Sequence, residues 1–205
     1  MMKLLYAPTS PYVRKVMACA HLCGVADHIE WLDSAANPVN RDMRIAAHNP
    51  LAKVPTLILQ NGRPLYDSRV ICEYLADLSG NDHLFPIDGD ARWQALTLQA
   101  LGDGMLDAAM LARYELTARP AQWQWPAWRE AQLVKVAAGL DAIESMASTL
   151  GVDHPSMGDV TLACALGYLD FRFPELDWRA SHPQAARWNA SIQALPALQS
   201  TIPHV

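Results

Sequence analysis

Thr9-Ser10-Pro11-Tyr12 sets two hydroxyls and a proline between a short apolar run and an amphipathic one. With Ser10 as N-cap and Pro11 at the first helical position, the helix's unsatisfied N–H groups point toward residue 10. A positive helix end favours an anion, and a hydroxyl beside it can donate to that anion. A Ser-Pro pair is also among the commonest plain helix starts, and taken alone this motif reads as a bare cap. In "NPLAKVPTLILQNG", Val54-Pro55 precedes an apolar run with strand character. A cis bond there would turn the chain into the strand and leave the Val54 N–H and C=O to pair with an extended ligand backbone. The alternative is a trans proline opening an edge strand. In "YDSRVI", Asp67-Ser68 stands at a helix start, where N–H groups and the Ser68 hydroxyl can meet a carboxylate or simply serve as a cap.

The elements that must carry these residues read as follows. "KLLYA" has strand character, and "PYVRKVMACAHLCG" spaces Val13, Val16, Met17, Ala20 and Cys23 as a helix that stops at Gly24. "HIEWLD" alternates as a second strand, and a short helix is expected over Asp42 to Ala47. "TLILQ" and "RPLY" flank Asn61-Gly62, a two-residue hairpin signal. "SRVICEYLADLSG" places Val70, Ile71, Tyr74, Leu75 and Leu78 on one helical face. The order is β-α-β-α-β-β-α over residues 1–79. The Gly-, Asp- and Pro-rich stretch 80–89 reads as a linker, and 90–205 as all-helical, with runs at 90–115, 127–149, 159–170 and 184–194. An α/β domain followed by an all-α domain is the expected fold class. "HPSMGDVTLACAL" carries Ser156 and Asp159 as a capping box ahead of an apolar run, a structural feature.

Composition sets the bounds. The chain has 205 residues, 51% hydrophobic and 18% charged, with a formal charge of −5. That predicts a soluble globular protein with neither the basic stripe of a nucleic-acid binder nor a run long enough for a membrane span. The apolar stretch after Met1 is too short for a signal peptide, so the expected location is cytoplasmic. Cys19, Cys23, Cys72 and Cys164 show no C-x-x-C spacing, and the histidines show no H-E-x-x-H, so no metal is expected. Cys19 and Cys23 are expected to be buried thiols on one helix face.

Taken in this order and spacing, Ser10-Pro11-Tyr12, "NPLAKVP" and "DS", with the capping box in the helical half, give a chain that resembles the cytosolic glutathione transferases along its whole length. The resemblance implies a thioredoxin-like domain and a helical one, with Ser10-Pro11-Tyr12-Val13 where a glutaredoxin has Cys-Pro-Tyr-Cys. It implies glutathione as co-substrate, held as a thiolate by Ser10 for attack on a small electrophile, in a detoxifying homodimer. Free thiols ionise near pH 8.5, and a hydroxyl plus a helix end lowering this by roughly two units is worth about 2.7 kcal/mol.

By the same resemblance, Thr9 is a neighbouring polar contact, Val54 pairs with the cysteinyl backbone and Pro55 is cis. Lys53 meets the glycine carboxylate, and Asp67 and Ser68 hold the γ-glutamyl end, with Asp67 where the family often has Glu. Asp103 reaches the ligand across a dimer interface, and Arg14 lies beside the site. Tyr12, Met105, Met110, Tyr114, Trp123 and Trp125 are candidates for an electrophile pocket, although an apolar helical stripe is more often core. Isomerisation, dehalogenation or peroxide reduction by the same thiolate are alternatives to conjugation, as is glutathione binding without catalysis. Thiol-redox chemistry is disfavoured, because positions 9 and 10 carry no cysteine.

Overall fold

The computed structural model describes residues 1–204. The chain divides into two compact units, Met1–Ile87 joined by the segment from Pro196 onward, and Asp88–Leu195.

The first unit is built on β1 (Met2–Tyr6), α1 (Pro11–Leu22), β2 (Ile29–Asp33), α2 (Met43–Ala46), β3 (Thr56–Ile58), β4 (Pro64–Leu65) and α3 (Ser68–Ser79). The sheet order is β2-β1-β3-β4, with β1 parallel to β2, antiparallel to β3, and β3 antiparallel to β4. This is the thioredoxin-like arrangement. Leu4 and Leu57, paired across β1 and β3, are fully buried. On α1 the buried positions include Val13, Val16 and Ala20, as periodicity requires, and α1 packs on α3.

Three details differ from the sequence reading. On α3 the buried stripe is Ile71, Cys72, Leu75 and Ala76, while Val70 and Leu78 are exposed. The 3.6-residue period permits either stripe, and packing against α1 selects this one. The β3–β4 loop is one residue longer than expected. Gly62 N–H donates to Leu59 O and Leu59 N–H to Arg63 O, with Gly62 at φ +84°, a three-residue turn whose glycine takes the left-handed position. Cys19 and Cys72 are buried, but Cys23 is half-buried, because it lies at the C-cap of α1 rather than on its inner face.

The final segment also departs from the expected 90–205 helical half. Here α9 (Pro196–Gln199) belongs with the first unit, packs on α1, and offers the Leu198 carbonyl to Arg14 Nη2 at 3.1 Å. Leu198 is fully buried, which anchors the segment there.

The second unit is helical: α4 (Gly89–Thr117), α5 (Pro126–Met146), α6 (Met157–Arg172), α7 (Trp178–Ser181) and α8 (Pro183–Gln193). Every residue of α6 from Met157 to Leu166 is buried, so this helix forms the centre of the unit. It can approach α4 closely because Gly158 and Gly102 carry no side chain. A Cβ on Gly158 would lie 2.5 Å from Leu98 Cβ, and one on Gly102 2.8 Å from Thr161 Cγ2. The start of α6 carries the expected capping box, with Ser156 Oγ accepting from Asp159 N–H and Asp159 accepting from Ser156 N–H.

Between α4 and α5 the chain is pinned by Glu115, which is 4% exposed. Its carboxylate accepts from Trp125 N–H at 2.7 Å and from Arg119 Nε at 2.9 Å. The Trp125 amide, and then Arg119, hold this carboxyl below its ordinary pKa against the opposing effect of burial. A group whose folded pKa is depressed stabilises the fold above its unfolded value and loses that effect as pH falls through the folded one. The gap in Tm between wild type and Glu115→Ala is therefore expected to be complete above pH ~4.3 and to close on further acidification. A gap that does not narrow at any point on acidification would remove the role of this carboxylate.

Candidate functional site

Strand register brings the three sequence motifs together. Leu5, near the end of β1, pairs with Thr56 at the start of β3, and Leu57 pairs with Leu65 at the end of β4. The chain leaving β1 toward Ser10, the chain entering β3 through Val54-Pro55, and the chain leaving β4 into Asp67-Ser68 therefore share one end of three adjacent strands. Residues separated by more than 40 positions in sequence meet because β3 and β4 each reverse direction.

At this end Ser10 is the N-cap of α1, with φ −83° and ψ 123°. Its Oγ accepts from Val13 N–H at 3.3 Å, so the hydroxyl proton remains available to donate outward. Pro11 occupies the first turn and has no N–H of its own. The Ser10 N–H donates to Ala7 O at 3.0 Å, which closes the turn between β1 and α1 and aims the cap. Thr9, like Ser10, is half-buried. An anion here meets a helix N-terminus and a hydroxyl donor, an arrangement suited to a thiolate.

The Val54-Pro55 peptide bond is cis. Among the described residues nothing hydrogen-bonds the Val54 N–H or C=O, and Val54 is only half-buried. A strand-like ligand backbone could take both groups. The loop that presents them is held from beneath by Asn49, which is 2% exposed. Asn49 Nδ2 donates to Lys53 O at 3.2 Å and to Thr56 Oγ1 at 3.1 Å, and its Oδ1 accepts from Leu51 N–H at 3.0 Å. Thr56 Oγ1 in turn donates to Lys53 O at 2.9 Å. Sequence reasoning missed Asn49 and Thr56 as positioning residues. The available signal was Asn49-Pro50, since an Asn side chain bonding the amide two residues on is a turn device.

Asp67 caps α3, accepting from Arg69 N–H at 3.0 Å, and the Tyr66-Asp67 bond is also cis. Ser68, the first residue of α3, is 3% exposed, and its hydroxyl has no partner among the described residues. A carboxylate placed here meets a second helix N-terminus. Lys53 is exposed at the rim, and Tyr12 is half-buried in the first turn of α1.

The remaining expected residues lie on the helical unit. Asp103 is 2% exposed on α4. Met110 and Tyr114 are half-buried on α4, while Trp123 and Trp125 are exposed in the connection to α5. Met105 is a correction to the expected pocket. It is buried with its sulfur over Gly139 of α5, where an added Cβ would lie 2.5 Å away, so its side chain fills the α4–α5 core.

Residues 9–78 match the family model described as glutathione S-transferase, N-terminal domain, and residues 126–189 match glutathione S-transferase, C-terminal domain. An Escherichia coli (strain K12) relative, the uncharacterized GST-like protein YibF, is 32% identical over 188 residues, 91% of either chain. The chain belongs to the glutathione S-transferase family. Among solved glutathione S-transferase structures, a Pseudomonas fluorescens Pf-5 family member with bound glutathione is 42% identical, with TM-score 0.94 and complete coverage of both chains. A second structure from that source, with bound S-(propanoic acid)-glutathione, is 40% identical at TM-score 0.89, again over both whole chains. A Methylobacillus flagellatus KT glutathione S-transferase with glutathione bound is 37% identical at TM-score 0.88, over all of both chains. The end of the sheet described above carries a hydroxyl, an open backbone pair and two helix N-termini together.

Proposed function

We propose that this glutathione S-transferase family member binds glutathione at the shared end of β1, β3 and β4 and conjugates its thiolate to a small electrophile. The observation that carries this reading is the convergence of Ser10, Val54 and Asp67-Ser68 at that end. The tripeptide's groups match them in order. Its thiol meets the α1 N-terminus with Ser10 as donor and Thr9 nearby, and its cysteinyl backbone meets Val54, before Pro55. Its γ-glutamyl carboxylate meets Ser68 and the α3 N-terminus, with Asp67 facing the amine. Lys53 meets the glycine carboxylate.

Glutathione in two of these solved structures, and a glutathione thioether in a second structure of the Pseudomonas fluorescens protein, support the ligand and the direction of the chemistry. A thioether is what results when a thiolate carbon bond forms and a leaving group departs, or a double bond is consumed. The protein then supplies thiol ionisation and placement; the thiol proton leaves to water, and where an epoxide or a double bond is opened, water returns a proton to the product.

Assembly as a two-fold homodimer belongs to the same proposal, with Val70 and Leu78 supplying apolar surface on α3; Asp103, expected to reach across the interface, is 2% exposed and is left out of it. Tyr12, Met110, Tyr114 and Trp123 remain the proposed electrophile contacts.

The test is retention of the protein on immobilised glutathione, followed by thioether formation across a panel of aryl halides, epoxides and unsaturated carbonyls. Retention together with conjugation of at least one class is expected. Failure to be retained, with no conjugate formed, would sink the reading.

Asn49 supplies a further prediction. Asn49→Ala removes three hydrogen bonds from the loop carrying Val54 and leaves Lys53 O and Leu51 N–H with fewer partners. A stability loss of about 1–3 kcal/mol is expected, with weaker glutathione binding. Calorimetric titration with glutathione checks it, and an unchanged affinity would mean that this loop does not hold the ligand.

A further inference from the structure

In the helical unit, α4 and α6 run side by side in the same direction. Gly158 sits against Leu98, and Gly102 against Thr161, so an advance along one helix is matched along the other. Eleven residues on from Gly102, about three turns, is Arg113; eleven on from Thr161 is Arg172. The register therefore continues to Arg113 alongside Arg172, the last residue of α6. Tyr168 lies one turn earlier on the same face of α6, and Tyr114 follows Arg113.

Among the described residues no carboxylate answers this pair. Among the described residues neither Arg113 nor Arg172 makes a side-chain ion pair or hydrogen bond. Arg172 stacks with its Cζ 3.9 Å from the centre of the Phe171 ring, and Arg113 Cζ lies 5.9 Å from that of Tyr114. Desolvation, and then the charge of Arg113, hold the Arg172 guanidinium below its ordinary pKa. Tyr168 is 5% exposed, and its hydroxyl has no partner among the described residues. Burial pushes its pKa up, so it keeps its proton and remains a donor.

The end of α6 and the Phe171 ring account for Arg172 alone. They do not account for a second half-buried cation beside it, because like charges repel more strongly where water is partly excluded. An anion between the two guanidiniums reverses the sign of that interaction, and each guanidinium presents the planar fork that suits a carboxylate.

We propose that Arg113 and Arg172, with the Tyr168 hydroxyl as a third donor, form a carboxylate-binding site on the helical unit.

The test uses the full chain without glutathione and a matched pair of probes, 4-chloro-3-nitrobenzoate and its methyl ester, titrated by tryptophan fluorescence. Wild type is expected to bind the acid about tenfold or more tightly than the ester. Arg113→Gln and Arg172→Gln should each erase that preference, and Arg172→Lys should retain part of it. The ratio of acid to ester is its own control, since general damage to the helices weakens both probes alike. A wild type that binds both equally, or a preference that survives both glutamine variants, overturns the site.

Discussion

Ser10→Ala is expected to lower conjugation turnover 10- to 100-fold while leaving glutathione affinity nearly unchanged. The split follows from the division of roles proposed at the end of the sheet. The backbone of Val54, the α3 N-terminus and Ser68 are untouched by the substitution, and in the proposed binding mode they face the larger part of the tripeptide. Only the proposed donor to the sulfur is lost. A 10- to 100-fold loss corresponds to about 1.4–2.7 kcal/mol of transition-state stabilisation, the scale of one charge-assisted hydrogen bond. Val13 N–H also loses its 3.3 Å acceptor, so a stability loss near ~1 kcal/mol should accompany the kinetic one. The two effects separate in a pH titration of the bound thiol, followed by thiolate absorbance. The apparent pKa should rise in Ser10→Ala, which a cap alone would not cause. Ser10→Cys offers a contrast, since a thiol in that place can exchange with glutathione disulfide, forming a mixed disulfide and releasing one glutathione thiolate. Identical titration curves and turnover in wild type and Ser10→Ala would reduce Ser10 to a helix cap.

The largest stability effect is expected at Asp159. Its carboxylate is 5% exposed and accepts from Ser156 N–H at 2.8 Å, Ser156 Oγ at 2.6 Å and Gly151 N–H at 3.0 Å. Asp159→Ala leaves those donors without an acceptor at the head of the most buried helix, and removes a negative charge from its N-terminus. A loss of about 3–5 kcal/mol is expected, the range reached when a buried hydrogen-bonded network is broken. Ser156→Ala should cost only about 1 kcal/mol, the ordinary value of a cap. Urea unfolding followed by far-ultraviolet dichroism measures both. If Asp159→Ala costs no more than Ser156→Ala, the network adds nothing beyond the cap. The Gly151 contact makes the difference: an ordinary capping box spans three residues, whereas this aspartate also ties down the chain eight residues upstream.

Helix starts at Ser10, Asp67 and Ser156 were legible in the sequence because a cap is a contact between residues at most three apart. The two-part architecture was legible as well, since strand and helix periods differ and the helical runs begin after a Gly- and Pro-rich stretch. Cis geometry at Val54-Pro55 was an expectation that the structure shares. What local chemistry left open was which side of a helix faces inward. On α3, Val70 and Leu78 are as apolar as Ile71 and Leu75, and only α1 decides which pair is buried. Met105 carries the same lesson: a methionine on an amphipathic stripe reads equally as pocket or core, and Gly139 on another helix makes it core.

The residue types at 10, 54 and 67–68, their caps and the helices they begin are properties of the sequence itself, written in spans of a few residues. Their meeting is not. It depends on Leu5 pairing with Thr56 and Leu57 with Leu65, and register is a choice made by strands distant in sequence. Asn49 beneath the Val54 loop, the return of the chain at Leu198 to α1, and the approach of Arg113 to Arg172 were likewise decided by the tertiary structure. The reason is common to all of them: caps and periods act within a turn or two, whereas packing joins whichever surfaces the rest of the chain leaves to be covered.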